Sequence, residues 1–284
     1  MDTLAAALRT ATAGLKDSDS PALDAELLLC AVLQKDRSYL RSHPETTLDA
    51  VQAARYAELT AARSRGEPVA YLTGKREFWS LELKVTSATL IPRPETELLV
   101  EQALALIPPA AEWEILDLGT GSGAIALALA KERPCCRIQA TDLSVDALAV
   151  AADNARRLQL RNVEFLLGNW YTPVAGRRFH LVVSNPPYIS LSDPHLTQGD
   201  LRFEPRQALA SGADGLYDIR NIIAAAPEHL LAGGNLMLEH AYEQGAETRG
   251  LLQGAGFNHA RSFRDLAGHE RISAGDWANP SASR

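Results

Sequence analysis

From Pro94 onward, short apolar runs alternate with helical stripes. Ile115 and Leu116 form a compact strand signal within Glu114–Asp117, and a helical pattern (Ile125, Leu127, Leu129, Ala130) fills residues 124–132. Arg137–Thr141, Val163–Leu167 and Phe179–Ser184 read as further strands, the last with Val182 and Val183, residues that favour a buried strand. Helices are expected over Glu95–Ile107 and from about Ser144. Strand and helix in regular alternation predict an α/β fold with a mostly parallel, doubly wound sheet. Asn235–His240 and Arg271–Trp277, flanking Gly254-Ala255-Gly256-Phe257, read as the last strands.

The first third has a different pattern. Ser20-Pro21 reads as a cap and first-turn proline, followed by Leu23, Leu27, Cys30 and Ala31 on one expected core stripe. Leu48 to Arg63 is alanine-rich and helical, stopped by Gly66 and Pro68. Residues 1–73 are therefore expected to form a small helical bundle. Alternation at Leu81, Leu83 and Val85 predicts a hairpin within Trp79–Leu90 that connects the halves. The expected organisation is a bundle over 1–73, a hairpin linker over 74–92 and a second domain over 93–284, with a disordered tail from Asn279.

Bulk properties remove several classes of function. A chain of 284 residues, 46% hydrophobic, can build one large core and a smaller one. Three cysteines (Cys30, Cys135, Cys136), without metal-ligand spacing, point to a reduced, cytoplasmic protein with no disulfide framework. The histidines lack HxxxH or cysteine partners, so no metal site is expected. No apolar run approaches membrane-spanning length, and the start of the chain does not read as a signal peptide. Residues 1–90 carry 11 Lys/Arg against 12 Asp/Glu, and residues 91–284 carry 17 against 23, together a net charge of −7. That balance argues against an enzyme that scans nucleic acid, because phosphate neutralisation supplies most of such affinity. It leaves room for a local basic patch such as Arg202 with Arg206.

The candidate chemistry sits at strand ends. Asn185-Pro186-Pro187-Tyr188 follows Phe179–Ser184, and its two prolines end the strand in a stiff elbow. Open α/β sheets bind ligands at such carboxyl ends. Asn185 both donates and accepts, and Tyr188 adds a flat ring, a combination suited to holding a planar NH2 group; a stiffened turn with a capping Asn is the structural alternative. Gly119-Thr120-Gly121-Ser122-Gly123 is a glycine turn between strand and helix. Its spacing also fits the dinucleotide fingerprint, so alone it leaves the cofactor open. Asp142, about 20 residues further on, is placed to take both ribose hydroxyls or to cap the next helix. Asn169 and Trp170 end the third strand, where a ring and an amide suit an adenine, and core packing is the alternative for Trp170.

Together, in this order and spacing, these motifs resemble the class I S-adenosylmethionine-dependent methyltransferases, and the elbow resembles the branch that methylates an NH2 on an sp2 carbon. The resemblance extends to Gly66-Glu67-Pro68, Leu72-Thr73-Gly74, Arg76-Glu77-Phe78-Trp79, Leu90 to Glu97, Gln198 to Pro205 and Leu238-Glu239-His240. Over nearly the whole chain it is to bacterial peptide chain release factor glutamine methyltransferases. One departure is Asn169, where that family is expected to carry an Asp.

The resemblance implies a seven-stranded sheet with an antiparallel edge and S-adenosylmethionine as cofactor. It also implies methylation of the glutamine side-chain amide (N5) in the Gly-Gly-Gln motif of class 1 release factors, by a cytoplasmic monomer without direct nucleic-acid or membrane contact. Cofactor binding is expected at Gly119, Thr120, Gly121, Ser122, Gly123, Asp142, Trp170 and Asn185. Asn185 and the Pro186 carbonyl are expected to accept the two N–H bonds of the substrate amide, with Pro187 and Tyr188 packing on it. Arg93, Glu95 and Glu97 are candidates for the pocket mouth or for helix capping, and residues 1–73 for recognition of the protein substrate. The alternatives are an adenine-N6 nucleic-acid methyltransferase and, if the elbow is coincidental, an NAD-dependent oxidoreductase or a silent nucleotide-binding module.

Overall fold

The computed structural model describes residues 2–278; the tail expected to be disordered from Asn279 lies outside the described residues. The chain divides into two compact units, one of residues 1–75 with 198–203, the other of residues 76–197 with 204–284.

The first unit contains α1 (Leu4–Gly14), α2 (Pro21–Leu33), α3 (Arg37–Ser42), α4 (Ala50–Ser64) and α5 (Val69–Thr73). Its core joins Leu4, Ala25, Leu28, Leu29, Leu48, Tyr56 and Leu59. The stripe expected on α2 is turned outward at Leu23 and Leu27, which are 39% and 36% exposed. The buried face carries Asp24, Ala25, Leu28 and Leu29 instead. Because α2 is apolar almost all round, periodicity does not select its inner face. A polar anchor does so. Buried Asp24 pairs with Arg63 at 2.6 Å and accepts from the Ser18 and Ser20 hydroxyls at 2.7 and 3.1 Å. Ser20 accordingly makes no side-chain cap bond. The turn at Gly199–Phe203 is fastened to this unit by the Arg63–Asp200 ion pair and by Arg202, which donates to the Arg65 carbonyl.

The hairpin comprises β1 (Lys75–Phe78) and β2 (Leu81–Lys84), not a ladder within Trp79–Leu90. Trp79 and Ser80 form its turn, each at φ 53°, the left-handed geometry that a tight hairpin needs and that side chains other than glycine and asparagine resist. Neighbouring groups hold it: Trp79 N–H donates to Glu97, Ser80 N–H to Glu77, and the Trp79 indole to Glu132. Without Gly, Asn or Asp, the sequence carries no turn signal here.

The elements that follow are α6 (Glu97–Leu106), β3 (Glu114–Leu118), α7 (Ala124–Glu132), β4 (Arg137–Asp142), α8 (Val145–Arg157), β5 (Val163–Leu167) and β6 (Phe179–Ser184). After them come α9 (Tyr217–His229), β7 (Leu230–Glu239), α10 (Gly245–Gly254), β8 (Phe257–Arg264) and β9 (Glu270–Trp277). The sheet has seven strands in the order β5-β4-β3-β6-β7-β9-β8, parallel from β5 to β7 and antiparallel at β9 and β8. This is the doubly wound sheet the alternation predicts. Strand residues alternate between two cores. Ile115, Leu181, Val183 and Met237 face α6, α7 and the hairpin; Leu116, Leu118, Val182 and Leu236 face α9 and Leu252 of α10. The edge strand β8 is absent from the pattern because Asn258, His259, Arg261 and Arg264 break its apolar rhythm, as charged residues do at an exposed sheet edge.

Asn154 of α8, 1% exposed, joins three segments. Its Oδ1 accepts from Lys84 N at 2.7 Å, and its Nδ2 donates to the Lys84 and Ser122 carbonyls, both at 3.0 Å. Asn154→Ala strands these backbone groups and is expected to cost ~1–3 kcal/mol for each one left dry. Urea denaturation checks this, and an unchanged midpoint would contradict the clamp.

Candidate active site

The strand order reverses direction between β3 and β6. These strands are adjacent and parallel, with Leu118 opposite Ser184, and the Ser184 hydroxyl donates to the Leu118 carbonyl at 2.7 Å. The glycine turn and the elbow therefore leave the sheet side by side, at the switch point where open α/β sheets form their crevice.

The glycine turn is held from below. Gly119 and Thr120 N–H both donate to the Thr141 carbonyl of β4, at 2.9 and 3.0 Å. The Thr120 hydroxyl donates to Asp117 Oδ2 at 2.6 Å. Asp142 at the end of β4 accepts from Gly121 N at 2.8 Å and from Ser144 N at 2.9 Å. One carboxylate thus ties the turn to the start of α8, and each of its oxygens keeps further acceptor capacity. At Gly119 (φ 71°) an added Cβ would stand 3.2 Å from the Trp170 ring. The turn must be bare there for the indole to lie against it.

A cleft opens above these groups. Of the residues singled out from the sequence, Gly119, Gly121, Asp142, Asn169, Trp170, Asn185 and Pro187 line it. Thr120, Ser122, Gly123, Pro186 and Tyr188 are not among its lining. Thr120 and Ser122 are buried, Thr120 with its hydroxyl on Asp117. Gly123, at φ 86°, caps α7. The Tyr188 hydroxyl donates to Glu239 at 3.3 Å, and the Tyr188 carbonyl accepts from Gln244. Asn185 donates its Nδ2 to Thr96 Oγ1 at 3.0 Å, which leaves Oδ1 as the free end of the amide.

Walls that the motifs did not indicate come from Thr89, Leu143 and Gln207, and Leu90 and Pro205 line the cleft from the ends of two stretches that carry the resemblance. The Pro205 wall is anchored by Glu204, whose fully buried side chain accepts from Ile91 N at 2.9 Å and pairs with Arg93. Arg93 thus acts as a brace. Glu97 accepts from Trp79 N. Thr96 and Glu239 escaped sequence reading as site residues because a buried polar partner has no spacing signature, although both fall in stretches that carry the family resemblance.

Two carboxylates, Asp142 and Asp218, line the cleft, and among the described residues no Lys, Arg or His does. That donor set fits a ligand with a cation and a ribose diol, as S-adenosylmethionine has.

The family model "PrmC N-terminal domain" matches residues 6–74, and "Methyltransferase small domain" matches residues 94–201. A Salmonella typhimurium protein named release factor glutamine methyltransferase is 50% identical, over 94% of this chain and 96% of its own. A Pseudomonas aeruginosa protein of the same name is 52% identical, over 93% and 95%. The chain belongs to the release factor glutamine methyltransferase family. A methyltransferase structure from Pyrococcus furiosus is similar in fold, with a TM-score of 0.54 at 17% identity, covering 81% of this chain and all of that one. Family membership implies S-adenosylmethionine-dependent chemistry. No helix among the described residues is long and apolar enough to cross a membrane.

Beneath the turn, burial pushes the Asp117 carboxyl up to about 7; hydrogen bonds from Thr120 and Ala126 oppose this, and the Asp142 charge adds to it. The folded state therefore holds that proton more tightly than the unfolded chain, whose carboxyl titrates near 3.8. The stabilisation is complete below the unfolded value and is lost as pH rises through about 7. Asp117→Asn keeps an acceptor for Thr120 without the charge, so its stability relative to wild type is expected to improve between about pH 5 and about pH 8. Urea midpoints at the two pH values check this; a difference that stays constant would refute the assignment.

Proposed function

We propose that the protein transfers a methyl group from S-adenosylmethionine to the side-chain amide nitrogen of a glutamine in class 1 peptide chain release factors, within their Gly-Gly-Gln motif. The observation that carries this reading is Asn185, fixed at the strand end beside the cleft with its amide oxygen free. The family relationship supports the same substrate. The reading implies a cytoplasmic, monomeric enzyme acting on protein without direct nucleic-acid contact. An adenine-N6 methyltransferase would use a similar elbow, and the net charge of −7 disfavours it.

When bound, S-adenosylmethionine supplies an electrophilic methyl on a sulfonium. Asp142 is the residue to take the ribose hydroxyls, Trp170 the adenine face, and Gly119 and Gly121 provide backbone that a ligand can approach closely. An amide nitrogen is a weak nucleophile because its lone pair is delocalised. Asn185 Oδ1 and the Pro186 carbonyl each accept one N–H of the substrate amide, which fixes the nitrogen and directs its remaining electrons toward the methyl. The contribution is positioning together with oriented dipoles in a site screened from water. No dedicated base is needed, because the N-methylated amide readily sheds its extra proton. Tyr188 braces the elbow through Glu239. For the first unit we propose substrate recognition, supported by the exposed Leu23 and Leu27 on one helix.

Mass spectrometry of a release factor and of a glutamine peptide, each incubated with isotope-labelled S-adenosylmethionine, tests the function; no methyl on the glutamine would reject it. Asn185→Ala is expected to lower kcat by ~10²–10³ with little loss of stability, and near wild-type turnover would falsify the mechanism. Stacking on an aromatic platform is worth ~1–3 kcal/mol. Trp170→Ala should therefore weaken S-adenosylhomocysteine binding by that amount in calorimetry, and Trp170→Phe by clearly less. Equal losses from the two would argue against a stacked adenine. Leu23→Glu with Leu27→Glu is expected to raise KM for the intact release factor and leave KM for the short peptide unchanged. Equal shifts for both substrates would make this face a stability element.

A further inference from the structure

Behind the elbow lies a buried carboxyl that the mechanism above uses only as a brace. Glu239, at the end of β7, is 1% exposed. Its Oε1 accepts from the Tyr188 hydroxyl at 3.3 Å. The Thr96 hydroxyl is close enough to act on the carboxyl as a hydrogen-bond donor, although Oε2 has no hydrogen bond of ordinary geometry. Thr96, 3% exposed, accepts in turn from Asn185 Nδ2 at 3.0 Å. Two hydrogen-bonded pairs from three segments, Asn185 with Thr96 and Tyr188 with Glu239, thus lie at the back of the site.

Their polarity has a direction. A threonine hydroxyl has one proton. Spent on an ionised Glu239, it leaves Thr96 only lone pairs to offer, and only the NH2 end of Asn185 can meet them. Oδ1 is then turned to the cleft. The two ends of an asparagine amide are nearly the same in shape, so shape alone does not choose between them. A reversed Asn185 would point NH2 at the substrate's own NH2, two donors facing each other.

Resting on the glutamine-methylation reading, we infer that Glu239 is a positioning residue for methyl transfer: through the Thr96 hydroxyl its carboxylate sets which end of the Asn185 amide faces the substrate. A protonated Glu239 has a hydrogen of its own to give Thr96, whose hydroxyl is then released to donate to Asn185 Oδ1, and the amide can turn. Burial, and secondarily the Glu95 charge, push this carboxyl up to about 7; Thr96, Tyr188 and the Arg271 charge pull the other way. The charges of Arg93 and Arg271 also act on Tyr188. The switch therefore falls in a range where turnover can report it.

The test is kcat and KM for a glutamine peptide against pH, with S-adenosylhomocysteine affinity and melting temperature measured in parallel. In wild type, kcat is expected to fall on the acid side through one ionisation near 7. Glu239→Gln should lower the kcat plateau by ~10-fold or more and abolish that acid limb, with KM and cofactor affinity within about threefold of wild type. Thr96→Val should lower kcat similarly, and Thr96→Ser should recover most of the loss. With Thr96→Val already present, adding Glu239→Gln should change kcat little further, because the two act through one contact. An acid limb that persists in Glu239→Gln, fully additive losses, or no rescue by serine would overturn the inference. If Glu239→Gln fails to fold, the Thr96 pair and its pH profiles decide alone. Wild-type protein that leaves glutamine unmethylated sinks the functional reading itself, a separate outcome.

Discussion

The site depends on the lateral pairing of β3 with β6. Leu118 and Ser184 stand opposite one another, and the Ser184 hydroxyl fastens the two strand ends through the Leu118 carbonyl. One residue later the glycine turn begins on one side and the elbow on the other. A one-residue slip would exchange the faces of every side chain on β6, placing Val182 where Val183 now packs. It would also move Asn185 by a strand rise of roughly 3.3 Å relative to the turn. The two hydrophobic layers that fix this register therefore also set the distance between the donor and acceptor halves of the reaction.

Polar groups with buried partners do the finer alignment. Asp142, Asn154 and Glu204 each tie together segments distant in sequence, and most of their partners are backbone N–H or C=O groups. Such ties are costly to break, since both sides are left unpaired away from water. The consequence is a cleft whose walls are shaped largely before a ligand arrives. Preorganisation of this kind is what a reaction with a poor nucleophile needs, because little chemical activation is available to compensate for loose geometry.

The parallel part of the sheet was legible because each strand is a short apolar run closed by a distinctive turn. The elbow, the glycine turn and Asp142 were legible for a related reason: each puts an unusual residue at a strand end. What stayed hidden has equally physical causes. The inner face of α2 is chosen by Asp24 and Arg63, not by its leucines. The hairpin turn at Trp79-Ser80 is held open by three carboxylates and has no turn residues of its own. β8 is a charged edge. In the site, Thr96 meets Asn185 and Glu239 meets Tyr188 across about 90 and 50 residues of chain, and only the fold brings them together.

The contact between Gly119 and Trp170 reaches beyond a single molecule. One position supplies empty space and the other the ring that fills it. A methyl group at 119 forces the indole away from the turn, and a smaller side chain at 170 leaves that turn uncovered. The positive φ at 119 resists a side chain whatever stands at 170, so in divergence the glycine is the fixed side of the contact and the ring is the side free to vary.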